Sequence, residues 1–173
     1  MKENHKISYY SKKSKNKKTE TYKLGDTLVT KNFYNAKDAY VKELIEEENG
    51  LKEIKHFTEK GVLAKMEHFL GDKREGIETK YFISKENRTI KSTKTYSDGK
   101  LHGECITYGN GEEIIKQEVY AHGKLVLKYL RNNGTSGEIT NYQIVDKDNV
   151  ENLPKVEYEK LQENLAKNPD WFM

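Results

Sequence analysis

"YSDGKLHGECITYGNGEEIIKQEVYAHGKL", residues 96–125, is close to a repetition of itself. Tyr96, Tyr108 and Tyr120 stand twelve residues apart, and the turn word "SDGKLHG" comes back shortened as "AHGKL". The same step of twelve joins Tyr10, Tyr22 and Tyr34, and again Phe57, Phe69 and Tyr81. Between the aromatics lie further turn words: "LGD" at 24–26, "ENG" at 48–50, "EKG" at 59–61, "LGDKREG" at 70–76, "GNGE" at 109–112 and "NNGTSG" at 132–137. Glycine, asparagine and aspartate at this spacing, with short β-prone runs between them, predict an antiparallel meander. Successive strands run in opposite directions, so the translational unit is the hairpin: Phe57 to Tyr81 and Tyr96 to Tyr120 are both 24 residues.

Alternation along the runs agrees with strands. In "GIETKYFIS", Ile77, Thr79, Tyr81 and Ile83 share one face and Glu78, Lys80 and Phe82 the other. In "EEIIKQEVY", Ile115, Gln117 and Val119 oppose Ile114, Lys116, Glu118 and Tyr120. Neither face is cleanly apolar, which suits a single open sheet with no enclosed pocket. The tail differs: "LPKVEYEKLQENLAKNPDWFM" has Pro154 near a helix start, an apolar stripe of Val156, Leu161 and Leu165, and Asn168–Pro169 as a stop. It predicts one short amphipathic helix over 155–167 that caps the last hairpin. The expected fold is all-β: an extended meander of about ten to twelve strands over 1–146, followed by a helical tail at 147–173.

A hairpin of this length, with an aromatic closing a strand and a turn of the form "nGklhGe", resembles the MORN repeat, in the relaxed form of the bacterial YwqK-type antitoxin family. "YSDGKLHGECITY" carries the resemblance, "FLGDKREGIETKY" matches it through Phe69, Lys73, Gly76, Glu78 and Tyr81, and "YAHGKLVLKYL" adds a half-copy. The match is best over 57–130 and departs in the glycine-poor N-terminal half. The resemblance implies an antitoxin or immunity-type protein that occludes a partner protein.

Composition bounds the rest. The 173 residues are 34% hydrophobic and 34% charged, with a mean hydropathy of -0.99, so the core is expected to be thin. Twelve tyrosines and five phenylalanines nevertheless supply too much apolar area for a disordered chain. A single cysteine, Cys105, excludes an internal disulfide and fits a reducing, cytoplasmic setting. No apolar run is long enough to span a membrane.

Charge is uneven. Residues 1–18 hold seven lysines against Glu3, whereas residues 146–173 hold seven acids against four lysines. The cluster Lys12, Lys13, Lys15, Lys17 and Lys18 is either a surface for an acidic partner or phosphate backbone, or a guard against edge-to-edge association. Candidate partner-binding residues are these lysines, the tyrosines Tyr81, Tyr96, Tyr108 and Tyr120, and the terminal Trp171 and Phe172. The tyrosines equally suit a repeat core.

No catalytic, cofactor or metal motif is present. His102 and His122 occupy equivalent turns, His56 and His68 are expected towards opposite sheet edges, and His5 is isolated, so none makes a metal-ligand word. The reading is therefore a non-enzymatic protein-binding module. Two alternatives use other chemistry. One is a phage-type, anti-CRISPR-like inhibitor of a nucleic-acid-handling enzyme acting through the basic N-terminus; the other is a membrane-surface scaffold.

Overall fold

The structure is a computed structural model that describes residues 2–37, 39–83, 89–131 and 139–167. Trp171, Phe172, the predicted turn word "NNGTSG" at 132–137 and the segment 84–88 lie outside the described residues. The chain is an antiparallel β-meander with one short C-terminal helix. It divides into two compact units: residues 1–74 with 80–88, and residues 75–79 with 89–173.

In the first unit the strands are β1 (Glu3–Tyr9), β2 (Lys17–Leu24), β3 (Thr27–Phe33), β4 (Val41–Glu48), β5 (Leu51–Phe57), β6 (Leu63–Leu70) and the two-residue β7 (Lys73–Arg74). Each from β1 to β6 pairs antiparallel with its chain neighbour. Strand β8 (Gly76–Tyr81) carries residues of both units. The second unit continues with β9 (Ile90–Ser97), β10 (Lys100–Tyr108), β11 (Ile114–Ala121), β12 (Lys124–Arg131) and β13 (Ile139–Ile144), again paired in chain order. A 3-10 turn (Lys147–Asn152) leads into helix α1 (Lys155–Lys167).

The turn words act as the spacing predicts. In the β4–β5, β9–β10 and β11–β12 hairpins both turn residues have positive φ: Asn49 and Gly50 (51° and 79°), Asp98 and Gly99 (50° and 79°), His122 and Gly123 (49° and 90°). Two left-handed residues in succession make the mirror-image turn whose twist matches that of the flanking strands, and glycine adopts it without a Cβ penalty. The 24-residue period appears as repeated bonding at the opposite ends of the strands. Tyr10 OH donates to Phe33 O at 2.5 Å and Tyr34 OH donates to Phe57 O at 2.7 Å, each joining one hairpin to the next.

Burial departs from simple alternation. In β8 Glu78 and Thr79 are buried while Ile77 is exposed, and in β11 Gln117, Glu118 and Val119 are buried in succession. The polar members of the β11 run are held by partners: Gln117 Nε2 donates to Glu104 Oε1, while Glu118 accepts from Tyr120 OH and pairs with Lys116 at 2.8 Å.

The apolar core of the second unit is Val119, Ala121, Val126 and Leu127 of β11–β12, packed with Leu153 and with Leu161 of α1. Tyr129, Ile144, Val150, Tyr158 and Leu165 close around it. Helix α1 starts where Pro154 supplies the first accepting carbonyl, to Tyr158 N at 3.0 Å, with Glu157 in its first turn and Lys167 in its last complementing the dipole. Its inward stripe is Tyr158, Leu161 and Leu165; Val156, placed on that stripe by spacing alone, is exposed.

The first unit has little such core. Among the described residues its buried apolar side chains are Tyr22 and Val29, a cross-strand pair in β2 and β3. The Tyr22 ring is covered by cations and an imidazole: Lys2 Nζ lies 4.0 Å and Lys31 Nζ 5.5 Å from its centroid, and His5 meets it edge-on at 5.9 Å.

Candidate binding surface

The β1–β2 connection is built from its own polar side chains. Tyr10 N donates to Asn16 O at 3.2 Å and closes the loop. Ser14 N donates to Ser11 O and Ser11 Oγ, both at 3.1 Å, and Asn16 N donates to Ser14 Oγ at 3.0 Å. Ser11, Ser14 and Asn16 thus hold the backbone, and Lys12, Lys13 and Lys15 between them are left exposed. Lys17 and Lys18, at the start of β2, are exposed as well. The loop is docked onto the next one, where Asn16 Nδ2 donates to Asn35 Oδ1 at 3.3 Å and Tyr10 OH holds Phe33 O.

Two open depressions flank these lysines. One, of about 570 Å³, is lined by Tyr9, Ser11, Lys12, Ser14 and Lys15. The other, of about 320 Å³, is lined by Lys15, Asn16, Lys17, Phe33, Ala36 and Ala39. Among the described residues no carboxylate lines either. Exposed Tyr9 and Tyr10 place aromatic surface beside the cations.

Among the described residues, Lys17 alone of the five is near a carboxylate, 3.7 Å from Glu20. Glu20 is itself saturated: Lys2 and His5 each reach its Oε1 at 2.9 Å. The hydrogen bond from Lys2, then that from His5 and the charge of Lys17, outweigh burial and hold the Glu20 carboxyl down at about 2. Lys12, Lys13, Lys15 and Lys18 have no carboxylate within 4.0 Å among the described residues.

Elsewhere in this unit a set of charges is compensated across the strands. On one face a polar chain crosses β2 to β6. Thr19 Oγ1 donates to Asn32 Oδ1 at 3.1 Å, and Asn32 Nδ2 donates to Glu43 Oε2 at 3.1 Å. His56 then lies between Glu43 (3.5 Å) and Glu67 (2.9 Å), and Glu67 also binds Lys65 (2.8 Å) and Arg74 (3.0 Å). Burial works against the charged form of Glu67, but Lys65, His56 and Arg74 outweigh it and keep the carboxyl below its ordinary value. A carboxylate so held is a poor proton acceptor, so this chain ties strands together and offers no base. The register puts His68 on the opposite face from His56, where Glu53 meets it at 3.2 Å and Lys55 at 2.6 Å.

The four tyrosines of the repeat, Tyr81, Tyr96, Tyr108 and Tyr120, are half-buried. Tyr120 OH donates to Glu118 Oε2 at 3.1 Å, and burial together with that carboxylate pushes its phenol up to about 12. His102 and His122 are brought together, their rings stacked at 4.6 Å with His122 N donating to His102 Nδ1 at 3.3 Å. Burial, then the neighbouring His122, lowers the His102 pKa. Cys105 is buried, and desolvation raises its thiol. Among the described residues no group of three or more His, Cys, Asp or Glu is placed to hold a metal, and no helix is long and apolar enough to cross a membrane.

Sequence reasoning reached the lysines but missed Tyr9, Ser11 and Ser14, which shape the surface around them. The available signal was the interleaving of serine with lysine in "SKKSKNKK", residues 11–18.

No protein-family model and no curated protein matches the chain. Among solved structures, the crystal structure of TarM is similar over 67% of this chain and 19% of that one, at 11% identity and a TM-score of 0.39. The crystal structure of an S. aureus TarM mutant in complex with Fondaparinux, alpha-GlcNAc-glycerol and UDP is similar over 71% and 21%, at 12% identity and a TM-score of 0.40. This chain thus spans about a fifth of the length of those chains.

Proposed function

We propose that this chain is a non-enzymatic protein-binding module of the antitoxin or immunity kind implied by its MORN-like hairpins, occluding a partner protein in the cytoplasm. The observation that carries the reading is the cluster of exposed lysines on an ordered loop, four of them with no carboxylate within 4.0 Å among the described residues, in a unit where a cross-strand chain of charges is paired. Clustered cations without carboxylates beside them create a local positive field, which steers an acidic partner and fixes its orientation. The docked loops reduce the ordering cost of binding. The half-buried Tyr81, Tyr96, Tyr108 and Tyr120 serve the sheet first, and contribute to a partner only through their remaining exposed edges.

The test is capture with the full chain followed by mass spectrometry, comparing it with a variant in which Lys12, Lys13, Lys15, Lys17 and Lys18 are all replaced by Gln. The expected result is one protein partner, released by salt, with capture by the variant reduced at least about tenfold at unchanged thermal stability. A second reading, an inhibitor of a nucleic-acid-handling enzyme, draws on the same lysines standing beside exposed Tyr9. Capture that disappears on nuclease treatment would favour it. Sedimentation with anionic vesicles tests the membrane-scaffold alternative.

A further inference from the structure

We infer that His102 and His122 form a pH-sensitive latch, which at neutral pH clamps the β11–β12 turn onto the start of β10 and which opens when His102 takes up a proton. The residues involved all belong to the second unit, and the inference does not depend on the protein-binding reading.

The repeat itself creates the pair. "LHG" at 101–103 and "AHG" at 121–123 place a histidine before a glycine in two successive hairpins, one in β10 and the other in the β11–β12 turn. The turn is held to β10 by two bonds in succession: Gly123 N donates to Leu101 O at 2.7 Å, and His122 N donates to His102 Nδ1 at 3.3 Å. The two rings stack beside the second bond, 4.6 Å apart and 27° from parallel. Strands β11 and β12, which this turn joins, carry Val119, Ala121, Val126 and Leu127, so the latch holds one end of the hairpin on which the apolar core is built.

An accepting Nδ1 carries no proton, so His102 is the neutral tautomer with its hydrogen on Nε2. A second proton can go only to Nδ1, where it meets the His122 N–H; donor then faces donor and the bond is lost. The Gly123–Leu101 bond has no such dependence, because a backbone carbonyl does not titrate. Of the two clamps, one is fixed and one responds between pH 5 and 8.

Charged groups reach His102 from the elements around it. Helix α1 brings Glu157, whose Oε1 lies 3.6 Å from where a Cβ on Gly103 would stand. Glu75, just before β8, brings a second carboxylate, already engaged by Asp98 N at 2.8 Å and Ser97 Oγ at 3.4 Å. The turn brings His122, and Lys100 of the same strand as His102 lies near Gly123. The two carboxylates favour the imidazolium; burial, then the stacked His122, outweigh them and lower the His102 pKa. A histidine lowered on folding binds fewer protons folded than unfolded. The contribution of the latch is therefore complete above the roughly 6.5 of an unfolded histidine and is lost as pH falls below it.

The experiment is NMR on the full chain between about pH 7.5 and about pH 5. Proton–nitrogen correlation of the imidazoles should show His102 protonated on Nε2 at the upper pH. Protection of the His122 amide, corrected for intrinsic exchange rates, should fall at least about threefold at the lower pH, with that of Gly123 changing less. His102→Asn keeps an acceptor near the position of Nδ1 and cannot titrate, so its His122 amide should stay protected throughout. His102→Phe keeps a ring without an acceptor and should leave that amide unprotected at both ends of the range. His122→Ala removes the stacked ring and should raise the titration midpoint of His102. A proton on Nδ1 at the upper pH, pH-independent protection in the wild type, or the same pH dependence in His102→Asn would each overturn the inference. Should the variants not fold, the tautomer and the wild-type profile decide it by themselves.

Discussion

In the first unit the side chains buried between β2 and β3 are Glu20, Tyr22 and Val29, and the ring of Tyr22 is covered by Lys2, Lys31 and His5. In the second, Val119, Ala121, Val126 and Leu127 pack with Leu153 and Leu161 into an apolar cluster, with Gln117 and Glu118 buried on the same strand as Val119. One meander has thus been stabilised in two ways. Where a helix follows the strands, apolar area is removed from water at roughly 25 cal/mol per Å². Where none does, cross-strand ion pairs and hydrogen bonds hold the sheet, each worth less and each weakened by salt. The difference bears on binding: a unit organised by charge can leave some cations uncompensated at little cost, and it does so in the Lys12–Lys18 loop.

The largest effect that tests this contrast is Leu161→Ala. Removing a fully buried leucine should destabilise the second unit by about 3 kcal/mol, read as a lowered thermal midpoint with amide protection lost in β11 and β12 before β2 to β5. Equal loss in both units would show that they are not separately stabilised.

Next comes Glu67→Gln, which takes the charge from the centre of the His56, Lys65 and Arg74 cluster. A cost of about 1–2 kcal/mol is expected, and 0.5 M sodium chloride should narrow the gap between wild type and variant by screening what remains. A salt-independent difference would point to packing.

The third test uses pH. Because the Glu20 carboxyl lies at about 2 in the folded chain, below the roughly 4.3 of an unfolded glutamate, its contribution is fully present above that unfolded value. It is lost as pH falls from there towards 2. Lys2 and Lys17 are solvent-exposed, so the contribution is on the order of 1 kcal/mol, less than the full shift would give. Denaturant midpoints of wild type and Glu20→Gln should converge as pH falls from about 5 to 2; parallel curves would contradict the assignment.

The smallest effect is Tyr34→Phe. Losing the hydroxyl that binds Phe57 O should cost about 0.5–1 kcal/mol, confined to the β3–β6 region in hydrogen exchange.

What could be read before the structure was the punctuation. Glycines and their neighbours at 25, 50, 99 and 123 mark where the chain reverses, and positive φ at each is the physical basis of the signal. Pro154 and the apolar spacing marked the helix and its start at Lys155, while the Asn168–Pro169 stop lies outside the described residues. Burial was less legible, because period-two alternation names a face without saying what covers it. Ile77 and Ile115 point to solvent while Glu78 and Glu118 are buried. The stacking of His102 on His122 and the reach of Tyr10 to Phe33 join residues 20 and 23 apart in the chain. Such contacts depend on register between hairpins, which a single sequence does not fix. The lysine cluster was visible at once, but that Lys12, Lys13, Lys15 and Lys18 have no carboxylate within 4.0 Å among the described residues is something only coordinates reveal.

The most direct measurement is lysine footprinting: acylation rates at every lysine, in the free chain and in the complex with its captured partner. Slowed reaction concentrated at Lys12, Lys13, Lys15 and Lys18, with Lys52, Lys55 and Lys128 unchanged, is the predicted result. Protection spread over the second unit, or none at the loop, would contradict the account.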